Sequence, residues 1–257
     1  MPTDAPTQTF WDHLDVLRTC LWRIIVVLIV SSVVAFCFKD TLFSLVLAPT
    51  HSDFCVYRWL QAPPFELHLV NTELTEQMIV HMKVATYAGL VVSSPYIVYA
   101  LFGFVAPALY DNERRYGLRL ISAAYVMFFL GTIVNYLLIF PLTVRFLGTY
   151  QVSAEVSTMV TLTSYVDALV LLSLGLGIVF ELPVVSFLLA RFGLLRAAWM
   201  RRYRRHAIVA TLVVAAFITP TTDVFTLLVV SLPIYILYEC SIVIVAHSQK
   251  ATTPQTT

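Results

Sequence analysis

The chain has 257 residues and a net charge of +1; hydrophobic residues make up 59% of it and charged residues only 12%. Average globular proteins carry roughly 25% charged residues, about twice this share. Because so few polar groups could not cover the surface of a soluble protein, we predict an integral membrane protein. The near-zero net charge excludes a general electrostatic attraction to nucleic acid.

Apolar segments of helical length follow one another along the chain. A membrane-spanning helix needs about 20 mostly apolar residues to cross a hydrocarbon core of about 30 Å. The predicted spans run over residues 21–38, 78–105, 118–142, 165–189, 207–219 and 224–246. We therefore predict an all-α membrane protein with a single six-helix domain over 1–246 and a disordered cytoplasmic tail over 247–257.

Two of these spans have unusual lengths. Asn71 or Thr72 could cap the second helix, which would then exceed about 30 residues, with a kink at Pro95. The stretch before it, residues 40–70, resembles an irregular external loop. The fifth span, residues 207–219, reaches only about 20 Å. It is either one helix of a re-entrant pair buried in protein or a short span in a thinned membrane.

The distribution of Lys and Arg predicts the orientation. With the N-terminus inside, the cytoplasmic segments contain twelve Lys and Arg residues, whereas the external segments contain three. Cytoplasmic loops carry the excess of positive charge in membrane proteins. We therefore predict that both termini lie in the cytoplasm.

Two glutamates fall within predicted spans, where ionisable residues are costly and indicate function. Glu181 lies roughly 15 Å from the cytoplasmic end of its helix, and Pro183 leaves the carbonyl of Val179 without its usual donor. A kinked helix with a buried carboxyl indicates a polar cavity or a contact for a partner. The alternative is a protonated carboxyl hydrogen-bonded to a neighbouring helix. Glu239, six residues after Pro233, is a second case.

The turn between the last two spans, TPTTD at 219–223, ends on a carboxylate. At this position Asp223 precedes the sixth helix. Its carboxylate can accept hydrogen bonds from free N–H groups and meet the positive end of the helix dipole. We predict a capping role for Asp223.

Two cytoplasmic segments concentrate charge. In residues 10–18, Asp12, Asp15 and Arg18 follow one another at a spacing of three, so they share one helix face. The loop at 106–115 carries a glutamate followed by two arginines. Ordinary solvated helix ends would also explain both patterns.

Sequence motifs for catalysis are missing. The chain contains no G-x-S-x-G, H-E-x-x-H or phosphate-binding loop, and its six histidines are scattered. The four cysteines form no C-x-x-C pair. We expect neither enzymatic activity nor a metal or other cofactor.

The order of five motifs resembles the family of the multi-spanning C subunit of the twin-arginine protein translocase. The motifs are HLDVLR at 13–18, FVAPALYDNERR at 104–115, FELP at 180–183, TPTTD at 219–223 and LPIYILYE at 232–239. They extend from about residue 10 to about residue 245 with family-like spacing. The APALY and ERR loop is the most specific of them.

This resemblance implies a cup-like fold of six helices in which the fifth and sixth are short. It implies a receptor in the bacterial cytoplasmic (inner) membrane that recognises folded precursor proteins by a signal peptide with consecutive arginines. The partners implied are these signal peptides, single-span subunits of the TatA and TatB kind, the lipid bilayer and further copies of the chain. The proton-motive force drives transport in this family.

The resemblance also assigns functional residues. Glu113 would receive the signal's arginine pair, because planar guanidinium groups bind best to carboxylates held on a rigid surface. The implied signal-peptide residues are Glu113, Asp15, Asp12, Arg18, Phe104, Arg114 and Arg115. The implied intramembrane and partner contacts are Glu181, Glu239, Pro183 and Asp223.

The sequence departs from the family pattern at two places. The glutamate of the first motif falls on Val16, whereas Asp15 stands one residue earlier, a rotation of about 100° on a helix. Either Asp15 or Asp12 could take its role. The TPTTD turn is also one residue longer than the commonest family form, which changes the setting of Asp223.

The competing interpretation is a proton-coupled secondary transporter that uses Glu181 and Glu239 as relay carboxylates beside proline-broken helices. Such transporters are built from inverted repeats, and none is visible in the sequence. A third interpretation, a membrane scaffold without a substrate, leaves the segments at 10–18 and 106–115 unexplained.

Overall fold

The computed structural model describes residues 10–61, 63, 65, 67–105, 114–150, 153, 159–221 and 223–252. Side chains at 10–13, 102, 105, 114–119 and 250–252 are outside this description. The structure divides into two compact units, Met1–Leu42 with Met82–Tyr125 and Phe43–His81 with Val126–Thr257. The single domain over 1–246 stays a prediction.

The described elements are almost entirely helical. The α-helices are α1 (Phe10–Phe36), α2 (Lys39–Leu47), α3 (Cys55–Trp59), α4 (Glu76–Val105), α5 (Arg114–Val134), α6 (Phe140–Thr149), α7 (Leu162–Val179), α8 (Leu182–Arg191), α9 (Ala197–Arg202), α10 (Arg204–Ile218) and α11 (Val224–Thr252). A 3₁₀ turn covers Ala48–Thr50, and a π turn, Asn135–Ile139, joins α5 to α6. Strands β1 (Leu69–Val70) and β2 (Val160–Thr161) pair in parallel.

Five stretches of the described helices are long and apolar enough to cross a membrane. They are Leu14–Phe36, Glu76–Leu101, Leu120–Thr149, Leu162–Arg191 and Val224–Gln249. They correspond to the first four predicted spans and to the sixth. The fifth predicted span is α10, whose 15 residues reach about 22 Å. This helix is short, as the sequence indicated, and the total of six spans stays a prediction.

In the first unit, α1 and α4 pack antiparallel. The Cys20 thiol donates to the Ala100 carbonyl at 3.3 Å, and the Ser31 hydroxyl donates to the Gly89 carbonyl at 3.0 Å. A Cβ atom at position 89 would lie 2.6 Å from the backbone nitrogen of Ser32. Glycine is therefore required for this close approach of the two helices.

The segment at 40–70 is not the irregular loop that its prolines indicated. It folds into α2, the 3₁₀ turn, α3 and β1, and Pro49 lies in the first turn of the 3₁₀ helix, where proline is tolerated. The Tyr57 hydroxyl lies 3.0 Å from the Pro141 carbonyl oxygen, and the Tyr165 hydroxyl donates to the Val46 carbonyl at 2.8 Å. Contacts from distant parts of the chain thus order the segment.

Helix α4 begins at Glu76, later than the predicted cap at Asn71 or Thr72. Glu76 is only 3% exposed. Its Oε2 accepts a hydrogen bond from the Thr72 N–H at 2.6 Å, and its Oε1 accepts one from the Thr163 N–H at 2.8 Å. Because Thr163 is the second residue of α7, this carboxylate joins the starts of two helices.

The third predicted span continues to Thr149, beyond its predicted end at residue 142. Pro141 does not end this span, because it falls in the first turn of α6 directly after the π turn. Proline is tolerated in a first helical turn, where no N–H donor is needed. The helical path therefore passes through the proline without ending.

Helix α11 is not short, in contrast to what the resemblance implied. It has 29 residues, so residues 247–252 are helical and not a disordered tail. The Gln249 side chain explains the extension, because it accepts from the Ala197 N–H at 3.3 Å and donates to the Leu195 carbonyl at 3.0 Å. Residues 253–257 of the predicted tail lie outside the described residues.

Candidate functional site

The first turns of α1 carry two of the residues implied in signal-peptide binding. Asp15 and Arg18 are both exposed, one turn apart on the same face. A groove of about 330 Å³ runs along the same helix. It is lined by Leu14, Leu17, Arg18, Leu21, Trp22 and Ile25. This face of α1 therefore offers charge at its start and an apolar surface directly after it.

The same end of the first unit includes the end of α4. The two hydrogen bonds between α1 and α4 fix an antiparallel register in which Asp15 lies at the level of Val105, because both helices advance about 1.5 Å per residue. Phe104, which is half-buried, belongs to this level. Asp15 and the end of α4 at Val105 thus lie at one end of the unit.

The remaining implied signal-peptide residues cannot be placed by their side chains. Glu113 lies in the segment outside the described residues. Asp12 is within α1, and Arg114 and Arg115 begin α5, but only the backbone of these three residues is described. The pocket for an arginine pair stays a prediction.

Glu181 lies in a break between α7 and α8. Helix α7 ends at Val179, and Phe180 and Glu181 form a turn before α8 begins. Pro183, which is buried, offers no N–H to the Val179 carbonyl. The Oε1 atom of Glu181 is buried and has no hydrogen-bond partner among the described residues. The predicted combination of a broken helix and a buried carboxyl is confirmed.

The break packs closely against α5. A Cβ atom added at Gly131 would lie 2.8 Å from the Phe180 ring and 2.9 Å from the Leu176 carbonyl oxygen. A larger residue at position 131 would therefore push α5 away from the turn. This contact fixes the turn that holds Glu181.

A further buried polar residue, Asn135, was missed in the sequence. It is completely buried, and its Nδ2 donates to the Ser173 hydroxyl at 2.7 Å. Its Oδ1 has no partner within the described part of the chain. Asn135 begins the π turn, a feature that occurs frequently at functional sites. The available signal was an amide side chain inside the apolar run IVNYLLI.

Glu239 is not an isolated carboxylate within its span. Arg204 of α10 lies 2.7 Å from its Oε2, and the Tyr235 hydroxyl donates to its Oε1 at 3.1 Å. The Arg204 and Glu239 side chains are 48% and 32% exposed. Arg204 was missed because it belongs to the basic run RRYRR at 201–205, which is also typical of anchoring at lipid headgroups. An ion-paired carboxylate is a poor proton relay, and the transporter interpretation has no support here.

Asp223 caps α11 as predicted. Its Oδ2 accepts a hydrogen bond from the Thr226 N–H at 2.6 Å. Burial acts to raise the pKa of the Asp223 carboxyl, but hydrogen bonding to Thr221 and Thr226 outweighs it and holds that pKa below its usual value. The carboxylate is therefore charged at neutral pH and meets the positive end of the helix dipole.

Comparison with known proteins gives consistent matches over most of the chain. Residues 12–233 match the family model of the Sec-independent protein translocase protein (TatC). The TatC protein of Deinococcus radiodurans is 34% identical over 244 residues, which cover 95% of this chain and 87% of that protein. That of Koribacter versatilis is 34% identical over 235 residues, with 91% and 84% covered.

A solved structure is similar as well. A crystal structure of the twin-arginine translocase receptor TatC superposes with a TM-score of 0.77 at 28% sequence identity. The match covers 92% of this chain and 99% of that chain. The likeness therefore extends over nearly the whole of both chains.

Proposed function

The chain belongs to the Sec-independent protein translocase protein (TatC) family, and from this premise we propose that it is the signal-peptide receptor and core subunit of a twin-arginine translocase. It exports folded proteins across the cytoplasmic membrane, driven by the proton-motive force. The observation that carries the proposal is the match over residues 12–233, which includes the first four motifs of the sequence resemblance in full and the start of the fifth. The protein is a multi-pass membrane protein and a transport component.

We place the protein in the bacterial inner membrane with both termini in the cytoplasm. The excess of Lys and Arg in the segments assigned to the cytoplasm supports this orientation. The exposure of Arg201, Arg202, Arg204 and Arg205 supports it further. Positive side chains at this position interact favourably with anionic headgroups of the inner leaflet.

In the proposed receptor site, Glu113 binds the arginine pair of the signal peptide. Asp15 or Asp12 supplies a second carboxylate, and Arg18, Phe104, Arg114 and Arg115 complete the surface. The register of α1 and α4, which brings Asp15 to the level of Val105, the last described residue before Glu113 in the chain, supports this arrangement. The apolar groove along α1 beside Arg18 suits an apolar segment of the signal peptide next to its arginine pair.

Contacts with the remaining partners involve the second unit. Glu181, in the break before Pro183, offers a buried oxygen without a partner among the described residues, which suits a polar group from a signal or partner helix. Glu239 and Asp223 contribute to surfaces for single-span subunits or further copies of the chain. The partial exposure of Glu239 supports such a contact.

Export by living cells tests the proposal. Cells that lack their own C subunit receive this chain with its single-span partners, and a folded reporter with a twin-arginine signal is followed. We expect export of the reporter, and no export when the arginine pair is replaced by two lysines, which keep the charge but lose the planar fork. Equal export of both reporters, or no export by a correctly inserted chain, would contradict the proposal.

A further inference from the structure

A cleft in the second unit has no part in the proposed function. Its volume is about 400 Å³, and the last turns of α6, the first turn of α11 and the segment after α3 form its walls. The apolar stretch of α6 ends at Thr149 and that of α11 begins at Val224. Because both end beside the cleft, it lies where hydrocarbon meets water, at the depth of phospholipid headgroups.

Arg145 is the charged residue in the wall of this cleft. Its guanidinium carbon lies 6.0 Å from the Tyr57 ring centroid and 5.8 Å from the Phe65 ring centroid, within the range of a cation–π interaction. No carboxylate pairs with Arg145 among the residues that the structure describes. A guanidinium that rests on aromatic rings keeps planar N–H donors for an anion.

Tyr57 is itself rigidly held. Its hydroxyl lies 3.0 Å from the carbonyl oxygens of both Pro49 and Pro141, and its ring meets Phe65 edge-on at 4.9 Å. Burial raises the pKa of Tyr57, so the hydroxyl stays protonated as a donor. Arg145 therefore rests on a fixed aromatic platform.

The remaining walls are mainly apolar. Phe146 of α6 and Phe225 of α11 stack with their ring centroids 4.1 Å apart, which joins the ends of the two helices. Gln61, at the rim, has a φ of 49°, a left-handed conformation that is uncommon for residues other than glycine and clusters at ligand sites. The cleft thus combines one cation, Arg145, with the amide of Gln61 at its rim and apolar walls. This combination suits an amphipathic anion.

We propose that this cleft binds the phosphate group of an anionic phospholipid, with Arg145 as the contact to the phosphate. The guanidinium fork matches phosphate oxygens in geometry and charge. The position at the end of two membrane helices and the aromatic walls favour a lipid over a free phosphate ion, which would need more donors. The cleft has the size of a ligand site.

Lipid retention tests this proposal. The full chain, purified in detergent, is incubated with phosphatidylglycerol, and native mass spectrometry measures the lipid that remains bound. We expect Arg145→Gln to need an about tenfold higher lipid concentration for the same occupancy, since it loses a charge-assisted pair. Arg58→Gln is the matched control, because it removes the same charge from an exposed site on α3 outside the cleft, and should bind as the wild type does.

A second variant and two further ligands complete the test. Arg145→Lys keeps the charge but loses the fork, and we expect intermediate retention even if Arg145→Gln does not fold. Phosphatidylcholine should bind more weakly, and inorganic phosphate should not displace phosphatidylglycerol. Unchanged retention by both Arg145 variants, or displacement by inorganic phosphate, would overturn the proposal.

Discussion

Two glutamates with buried carboxyl oxygens show how the surroundings of a residue decide its role. Glu76 is 3% exposed, and its carboxylate accepts hydrogen bonds from Thr72, Glu73 and Thr163. Glu181 has a buried carboxyl oxygen without a partner among the described residues. A buried polar group without a partner costs about 1–3 kcal/mol. Glu76 thus stabilises the fold, whereas Glu181 lowers stability at a site that we propose contacts partners.

We predict that Glu181→Leu leaves the thermal stability of the purified chain unchanged or raised, because it removes an unpaired buried group. Export of a twin-arginine reporter should fall in the same variant. Glu181→Gln, which keeps a polar group of similar shape, should export more than Glu181→Leu. A loss of more than about 1 kcal/mol of stability in Glu181→Leu would show that the carboxyl has a stabilising partner and would contradict this account.

Asp223 allows a prediction about pH. Folding lowers the pKa of the Asp223 carboxyl. The stability that this carboxylate contributes is therefore fully present above its unfolded pKa of about 3.9. It is lost as the pH falls through the lower pKa of the folded state. Asp223→Ala should cost about 0.5–2 kcal/mol at neutral pH, and Asp223→Asn, also a good cap, much less.

Thermal unfolding in detergent from about pH 3 to about pH 7 measures the Asp223 effect. The thermal stability of Asp223→Asn should fall less at acid pH than that of the wild type, because the variant has no carboxyl to protonate at this position. Asp53→Asn, at an exposed position, is the control and should match the wild type. An Asp223→Ala variant as stable as the wild type at neutral pH would show that the cap contributes nothing.

At the scale of elements, the sequence located the long membrane helices, but it missed some of their ends and the short helices α2, α3 and α9. Hydropathy and Pro183 were sufficient to place α7, the break and α8. The start of α4 and the end of α11 depend instead on side chains of Glu76 and Gln249, whose partners are 87 and about 50 residues away. Because such contacts have no local signal, the limits of α4 and α11 could not be predicted from composition.

The contact between the starts of α4 and α7 gives a direct prediction. Glu76→Ala leaves the N–H groups of Thr72 and Thr163 without their acceptor and should cost about 1–3 kcal/mol of stability. Glu73→Ala, which removes an exposed carboxylate three residues earlier, is the control and should have little effect. The two variants are compared by thermal unfolding of the purified chain. Equal stability of both would refute the role assigned to Glu76.

For the whole molecule, composition and charge were sufficient to predict a helical membrane protein. They did not predict arginine-pair recognition, which came only from the motif resemblance. Charge aligned on one helix face drew attention to Asp15, and charge placed where it is costly drew attention to Glu181; the roles of both residues stay predictions. The Glu239 partner, Arg204, could not, because the pair spans 35 residues and depends on how α10 packs on α11.

The proposed orientation can be measured with the native cysteines. Cys55 is exposed in α3, in the segment assigned to the external side. Because Cys37 and Cys240 are also exposed, both are first replaced by serine. A membrane-impermeant maleimide should then label Cys55 in intact spheroplasts, and Cys55→Ser should abolish this labelling. Arg202→Cys in the background without these three cysteines should react only after the membrane is permeabilised. Labelling of position 202 in intact spheroplasts would reverse the proposed orientation.

The central claim is recognition of an arginine pair at Glu113, and site-specific photo-crosslinking from the neighbouring Asn112 tests it most directly. Membranes that contain the chain receive a twin-arginine precursor or its Lys-Lys counterpart, which keeps the charge but loses the fork. The account predicts crosslinks to the twin-arginine precursor alone, abolished by Glu113→Gln. Equal crosslinking of both precursors, or none with a correctly inserted chain, would contradict it.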